Sequence, residues 1–219
     1  MAQGIQKKQL EKWLLIAAHL GSLLPLAHFG WVALQGQLGF NPVETALRQS
    51  GRAAVVLLIF SLAVTPLRKI FHLNILHKLR KPLGLYAALY AGLHFAAFAA
   101  WDYRLNLVLI WQEFVQKPFL LLGLGSLLIL GILAATSFRY WKVKLRSGWR
   151  WLQRTVYLAA VLAIAHYLLA VKGDLLTLQG DYARPLVAGG VLLLLFLLRV
   201  PLIYQPLQRW LARLSKKIL

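Results

Sequence analysis

Six stretches of the chain are apolar over a length that can cross a membrane, and polar segments separate them. They cover residues 13–34, 51–67, 83–101, 118–138, 155–171 and 185–204. A spanning helix needs about 17 to 25 predominantly apolar residues, so all six qualify, with the second, third and fifth at the short end. The pattern predicts an all-α membrane protein in which six transmembrane helices form a bundle and residues 1–219 make a single domain.

The composition supports this class and excludes several kinds of site. Hydrophobic residues make up 60% of the 219 positions, whereas a soluble domain is about 45–50% apolar. The chain has no cysteine, which excludes disulfides, thiolate-bound iron–sulfur clusters and covalently attached heme. The formal charge of +19 indicates contact with the lipid bilayer and a fixed orientation rather than nucleic-acid binding.

The basic residues predict how the chain is oriented. Most of the 25 lysines and arginines fall in the N-terminal lead, in segments 68–81 and 139–154, and in the C-terminal end from Arg199. All acidic residues except Glu11 fall in the intervening segments. Because lysine and arginine accumulate on the cytoplasmic side, we expect both termini in the cytoplasm. The third and fifth helices then run in the same direction.

Each of these two parallel helices carries one histidine, and the local pattern around it is repeated. His94 and His166 lie at equal depth, and alanines precede each of them by seven and by three positions, namely Ala87, Ala91, Ala159 and Ala163. Those offsets put the alanines on the same helix face as the histidine. An ionisable ring inside a membrane span marks a functional site by default. Two smooth faces with opposed imidazoles predict a slot for heme with two axial ligands.

An alternative interpretation of the two histidines stays open, because a buried histidine also joins helices by hydrogen bonds. The sequence predicts no repeat that extends beyond this local pattern. His19 and His28 in the first span are either auxiliary heme residues or ordinary interfacial residues, and His77 in the basic segment is either a ligand or a solvated residue. Patterns of zinc peptidases, serine hydrolases and nucleotide-binding loops are absent from the sequence.

Several runs, spread in order over nearly the whole chain, are similar to the MsrQ (formerly YedZ) family. This family contains the heme-bearing membrane subunits of the bacterial MsrPQ methionine-sulfoxide reductase and belongs to the ferric-reductase-like transmembrane group. The runs are AAHLGSLLPL at 17–26, SGRAA at 50–54, TPLRK at 65–69, RKPLGLYAALYAGLHF at 80–95, VQKPFLLLG at 115–123, ATSFRYWKVKLRSGWRWL at 135–152 and VYLAAVLAIAHYLLAVK at 156–172.

The resemblance implies an electron-transfer subunit of an oxidoreductase system rather than a complete enzyme. Its location would be the bacterial inner membrane. Electrons would come from a cytosolic flavin reductase or the quinone pool, with FMN as a possible cofactor at the cytoplasmic side. They would leave to an MsrP-like periplasmic molybdopterin enzyme that repairs oxidised methionine. The outward segments 35–50, 102–117 and 172–184 are the candidate docking surface.

The resemblance also implies which residues hold the iron. Two ligand positions of the family fall on His94 and His166. A further family histidine, in a run like LHRLVYL, is replaced here by Gln153 in LQRTVYL. Since an amide is a poor iron ligand, we expect one non-covalent heme b between His94 and His166. The alternative is a second heme in which His77 or His19 substitutes for the missing ligand.

Two other functions stay open at the level of sequence. A small transporter or structural membrane protein without a cofactor would be colourless when purified. A ferric reductase heme domain would pass its electrons to external metal.

Overall fold

The structure is a computed structural model that describes residues 2–171 and 180–218, with side chains for 6–171 and 180–209. Within those residues the chain is helical and contains no β-strand. The α-helices are α1 Ala2–Leu34, α2 Pro42–Phe71, α3 Arg80–Ala96, α4 Leu107–Gln116, α5 Phe119–Ala135, α6 Arg139–Arg154, α7 Val156–Leu169, α8 Ala183–Leu197 and α9 Pro201–Ile218. A 3₁₀-helix, Asn74–Leu79, precedes α3, and a π-helical turn, Ala97–Asp102, extends it.

Four continuous helical stretches are long and apolar enough to cross a membrane: Gln6–Leu34, Pro42–Phe71, Asn74–Asp102 and Arg139–Leu169. α4 and α5 pass the same test only if they are counted as one span with a bend of 114°, and α8 and α9 only if they are counted as one span with a bend of 81°. The described residues therefore provide four to six spans. The prediction of an all-α membrane protein is confirmed, whereas the orientation of the termini stays a prediction.

Two segments that the hydropathy pattern left as loops are helical. Residues 139–154 form α6, whose backbone breaks at Arg146 with a φ of 46°, and residues 102–117 contain α4. α6 exposes Val143 and Trp151, 68% and 70% accessible, among its arginines and lysines. Such a helix suits the boundary between lipid headgroups and acyl chains, where hydropathy over a spanning length gives no signal. In the third outward segment, 172–184, residues 172–179 lie outside the described part of the chain.

Close packing of two helix pairs forms the centre of the bundle. α2 packs most extensively on α3, and α5 packs on α7. Ala87 on α3 and Ala159 on α7 are completely buried, because small side chains let helix backbones approach closely in a membrane. The Ser126 hydroxyl donates a 2.9 Å hydrogen bond to the carbonyl of Ala159, which joins α5 to α7. These two pairs fix the positions of the histidines that α3 and α7 carry.

Candidate cofactor site

The imidazoles of His94 and His166 face each other across the space between α3 and α7. Their ring centroids are 6.1 Å apart and their planes are inclined by 79°. Two imidazoles bound to opposite sides of one metal, with metal–nitrogen bonds of about 2 Å, place their centroids about 6.4 Å apart. The observed separation thus matches what a shared metal centre requires.

A backbone carbonyl orients each of these rings. Nδ1 of His94 lies 2.9 Å from the carbonyl oxygen of Leu47 on α2. Nδ1 of His166 lies 3.0 Å from the carbonyl oxygen of Phe119, the first residue of α5. A carbonyl oxygen only accepts, so Nδ1–H is the donor in both pairs. The proton on Nδ1 leaves the Nε2 lone pair available, and this is the tautomer that binds a metal.

A glycine lies directly against each ring. A Cβ atom added to Gly51 on α2 would approach Nδ1 of His94 to 3.1 Å, and one added to Gly123 on α5 would approach Nδ1 of His166 to 2.9 Å. Any larger residue would push the imidazole away from its carbonyl partner. The two glycines therefore form shallow seats that set the position of the rings.

Both rings line a cavity of about 370 Å³ between α2, α3, α5 and α7, a size typical of small-molecule sites. Its deep end is apolar and includes Leu58 and Leu130. The opposite end is polar and charged, and its residues are Glu44, Arg48, Arg52 and Asp181. From Arg48 to Leu58, α2 rises by about 15 Å. The cavity thus suits a flat ligand with an apolar body and one charged edge.

Residues that line this cavity recur along the sequence at one constant separation. The prediction that no repeat extends beyond the local pattern is therefore wrong. The separation between Leu47 and Phe119, and between Gly51 and Gly123, is 72 residues, the difference between 166 and 94. Further lining pairs with this separation are Ala54 and Ser126, Val55 and Leu127, Leu58 and Leu130, Ala91 and Ala163, and Phe95 and Tyr167. Each half of the cavity is therefore one helix pair that supplies a carbonyl, a glycine and an imidazole in the same arrangement.

The residues present fit a heme held by two axial imidazoles. Both rings have the metal-binding tautomer and a separation suited to one iron, and a glycine next to each ring lets it lie close to the neighbouring helix. No group of three or more metal-binding side chains occurs in the described part of the chain. A porphyrin iron needs only two protein ligands, because the porphyrin supplies the other four nitrogens.

The four alanines that the sequence assigned to the site divide into two pairs. Ala91 and Ala163 line the cavity beside the histidines. Ala87 and Ala159 lie one helical turn deeper, in the packed core, and are not among the lining residues. In the structure they allow close helix packing, and their contact with the cofactor stays a prediction.

The auxiliary residues that the sequence singled out do not line this cavity. His19 is exposed, and its Nδ1 lies 3.0 Å from the hydroxyl of Tyr86 in a separate groove. His77 is exposed on the 3₁₀-helix, and His28 is exposed on α1. The amide of Gln153 donates to the carbonyl of Leu133 and to the Thr136 hydroxyl, both at 3.4 Å. Gln153 thus caps the end of α5, whose last carbonyls lack partners within the helix.

A small aromatic and polar cluster follows the C-terminal end of α3. The Phe98 ring lines the cavity and lies 4.7 Å from the ring of Tyr103. Burial, together with a hydrogen bond to Glu113, raises the pKa of Tyr103 to about 12. The phenol is therefore neutral at physiological pH.

Sequence reasoning missed the carbonyls of Leu47 and Phe119, both glycine seats and the two cavity arginines. A signal for the glycines was present, since each glycine precedes its histidine by the same number of residues. The carbonyls gave no signal, because every residue has one and only helix packing decides which carbonyl meets a ring.

Comparisons with known proteins give one consistent result. Residues 50–164 match the family model described as the ferric reductase like transmembrane component. The chain is 37% identical to the protein-methionine-sulfoxide reductase heme-binding subunit MsrQ of Bordetella pertussis, over 83% of this chain and 85% of the relative. The MsrQ proteins of Caulobacter vibrioides and Rhodospirillum rubrum are 34% and 35% identical, over 83% and 91% of this chain and 83% and 93% of theirs.

Proposed function

Since the chain belongs to the MsrQ family of ferric-reductase-like membrane proteins, we propose that it binds one heme b between His94 and His166 and carries electrons across the bacterial inner membrane. The electrons leave to a periplasmic MsrP-like methionine-sulfoxide reductase that contains molybdopterin. The observation that carries this proposal is the pair of imidazoles, each held by a carbonyl with its Nε2 directed away from that bond.

Heme, when bound, supplies a one-electron couple between ferric and ferrous iron. His94 and His166 would be the two protein ligands of the iron, and with both bound no site on the metal would be open to a substrate. The carbonyls of Leu47 and Phe119 keep the two rings in one tautomer and one orientation. The helix walls, including Leu58 and Leu130, keep water away from the deep end of the site. The chain thus acts by holding and insulating the redox group.

We assign electron entry to the cytoplasmic side and electron exit to the outer side. The basic segments 68–81 and 139–154 suit the phosphate of FMN or an acidic surface of a flavin reductase. A quinone in the bilayer is the second candidate donor. The charged end of the cavity, with Arg48 and Asp181, lies towards the side that the charge pattern predicts to be periplasmic.

A single heme is supported by the environment of Gln153. Its amide is engaged with the end of α5, and neither the cavity at His94 and His166 nor the groove at His19 includes Gln153 among its described lining residues. The polar groups near Gln153 therefore stabilise the helix end and provide no second pair of axial nitrogens.

Absorption spectroscopy of the purified protein tests the proposal. We expect a red protein whose Soret band shifts on reduction by dithionite, and loss of that band in His94→Ala and His166→Ala. His28→Ala is the matched control, because His28 is exposed on α1 away from the cavity. Circular dichroism establishes that each variant is folded. An unchanged spectrum in both cavity variants contradicts the heme assignment, and a colourless wild-type protein supports a cofactor-free transporter.

The direction of electron flow is tested in proteoliposomes with an MsrP-like reductase outside. After reduction of the heme, addition of methionine sulfoxide should reoxidise it only when the reductase is present. Reoxidation by an external ferric chelate at the same rate without the reductase would favour the ferric reductase alternative.

A further inference from the structure

The two halves of the cavity differ at its charged end, although their other walls correspond. Arg48 and Arg52 on α2 line the cavity. The positions 72 residues later are Leu120 and Leu124 on α5, which also line it. One side of a nearly symmetric slot is therefore cationic, and the equivalent side is apolar.

Among the described residues, the guanidinium of Arg52 has one carboxylate neighbour, Asp181. Its guanidinium lies 3.8 Å from the carboxylate of Asp181, which is too long for a hydrogen bond. Its side chain is 35% exposed. Arg52 directly follows Gly51, the glycine that seats His94, so it is at the level of the imidazoles. Arg52 lines the same cavity as both imidazoles.

Arg48 lies one turn closer to the mouth and is more exposed. Its guanidinium contacts Glu44 on the same helix face at 2.8 Å, with 54% of the arginine side chain accessible. An exposed ion pair of this kind contributes little to stability. Arg48 can therefore exchange Glu44 for another carboxylate at small cost.

Resting on the proposed heme site, we propose that Arg52, assisted by Arg48, binds the two propionate carboxylates of heme and fixes which edge of the ring faces α2. A guanidinium donates paired hydrogen bonds to a carboxylate, and such charge-assisted bonds are about twice as strong as neutral ones. Leu120 and Leu124 cannot accept the charged edge without leaving it unpaired. The arginines select one of two orientations that the paired histidines alone would allow.

The test compares two ligands, protoheme and its dimethyl ester, which lacks the carboxylates. The full-length protein is produced without heme, and each ligand is titrated into it while the Soret band is followed. Wild type should bind protoheme about tenfold more tightly than the ester. In Arg52→Leu, which has the side chain found at the equivalent position on α5, that ratio should fall towards one. Wild-type affinity for the ester shows that the variant is folded.

Arg184→Leu is the matched control. Arg184 also contacts Asp181, at 3.4 Å, but does not line the cavity, so this variant should keep the wild-type ratio. Arg48→Leu should reduce the ratio by a smaller factor than Arg52→Leu.

If Arg52→Leu binds neither ligand, the same two titrations are carried out with Arg52→Gln and Arg52→Lys. The inference is supported if the ratio of protoheme affinity to ester affinity falls in Arg52→Gln and is kept in Arg52→Lys. It is overturned if the two variants have the same ratio. A wild-type ratio near one, or an unchanged ratio in Arg52→Leu, also overturns it while leaving the heme site intact. Failure of wild type to bind either ligand contradicts the proposed function instead.

Discussion

His94 and His166 approach each other nearly at right angles, with 79° between their ring planes and 6.1 Å between their centroids. Each ring is held in this orientation by a separate helix, because the carbonyl of Leu47 fixes one and the carbonyl of Phe119 fixes the other. The angle between the rings is therefore a property of how α2 and α5 are placed around the cavity.

This angle predicts the magnetic character of the ferric heme. Perpendicular axial imidazoles make two iron d orbitals nearly equal in energy, whereas parallel rings separate them, since axial ligands set the electronics of the iron. We expect a strongly anisotropic low-spin signal in the electron paramagnetic resonance spectrum of the oxidised protein. A rhombic signal typical of parallel rings would contradict the arrangement of the imidazoles.

The contacts of Gly51 and Gly123 with the two imidazoles predict that alanine at either position weakens heme binding, to a different extent at each. Gly123→Ala should weaken heme binding by roughly 10- to 100-fold, the cost typical of disturbing the partners of a metal ligand. Gly51→Ala should have a smaller effect, since its added Cβ meets the ring at 3.1 Å rather than 2.9 Å. Heme content after purification and titration of the apoprotein measure both effects.

The control for these variants is Gly131→Ala, in the same helix as Gly123. A Cβ there meets no atom within 4 Å, so heme binding should be unchanged and the helix should gain up to about 1 kcal/mol. If Gly131→Ala and Gly123→Ala lose heme equally, the seats are not the cause.

Gln153→Ala should leave the heme content at one per chain. The variant loses two long hydrogen bonds to the end of α5, which we expect to lower the free energy of unfolding by about 0.5 kcal/mol. The number of hemes per chain is measured with a pyridine-hemochrome assay for heme and amino-acid analysis for protein. A count of two in wild type that falls to one in Gln153→Ala would place a second heme next to Gln153.

Reporter fusions test the predicted orientation. Alkaline phosphatase inserted after Gly36, between α1 and α2, should be active because the charge pattern places that turn outside the cytoplasm. The same insertion after His72 should be inactive, and a green fluorescent protein joined after Leu219 should fluoresce. The reverse pattern would exchange the entry and exit sides of the electron path.

Much of the fold follows from local properties of the sequence. A run of apolar residues predicts a membrane helix wherever it occurs, because no water is available inside the bilayer to bond an irregular backbone. The depth of His94 and His166 follows in the same way from their positions within their spans. α4 and α6 were missed because each is too short or too polar to resemble a span.

By itself the sequence predicted the long apolar helices, the equal depth of the two histidines and the family of the chain. The tertiary structure decided which carbonyl holds each ring, that Gly51 and Gly123 seat them, and that Arg48 and Arg52 face the same cavity. Each histidine and its carbonyl are 47 residues apart along the chain. Such contacts depend on how two helices pack, and packing is a property of both helices together that neither pattern contains alone.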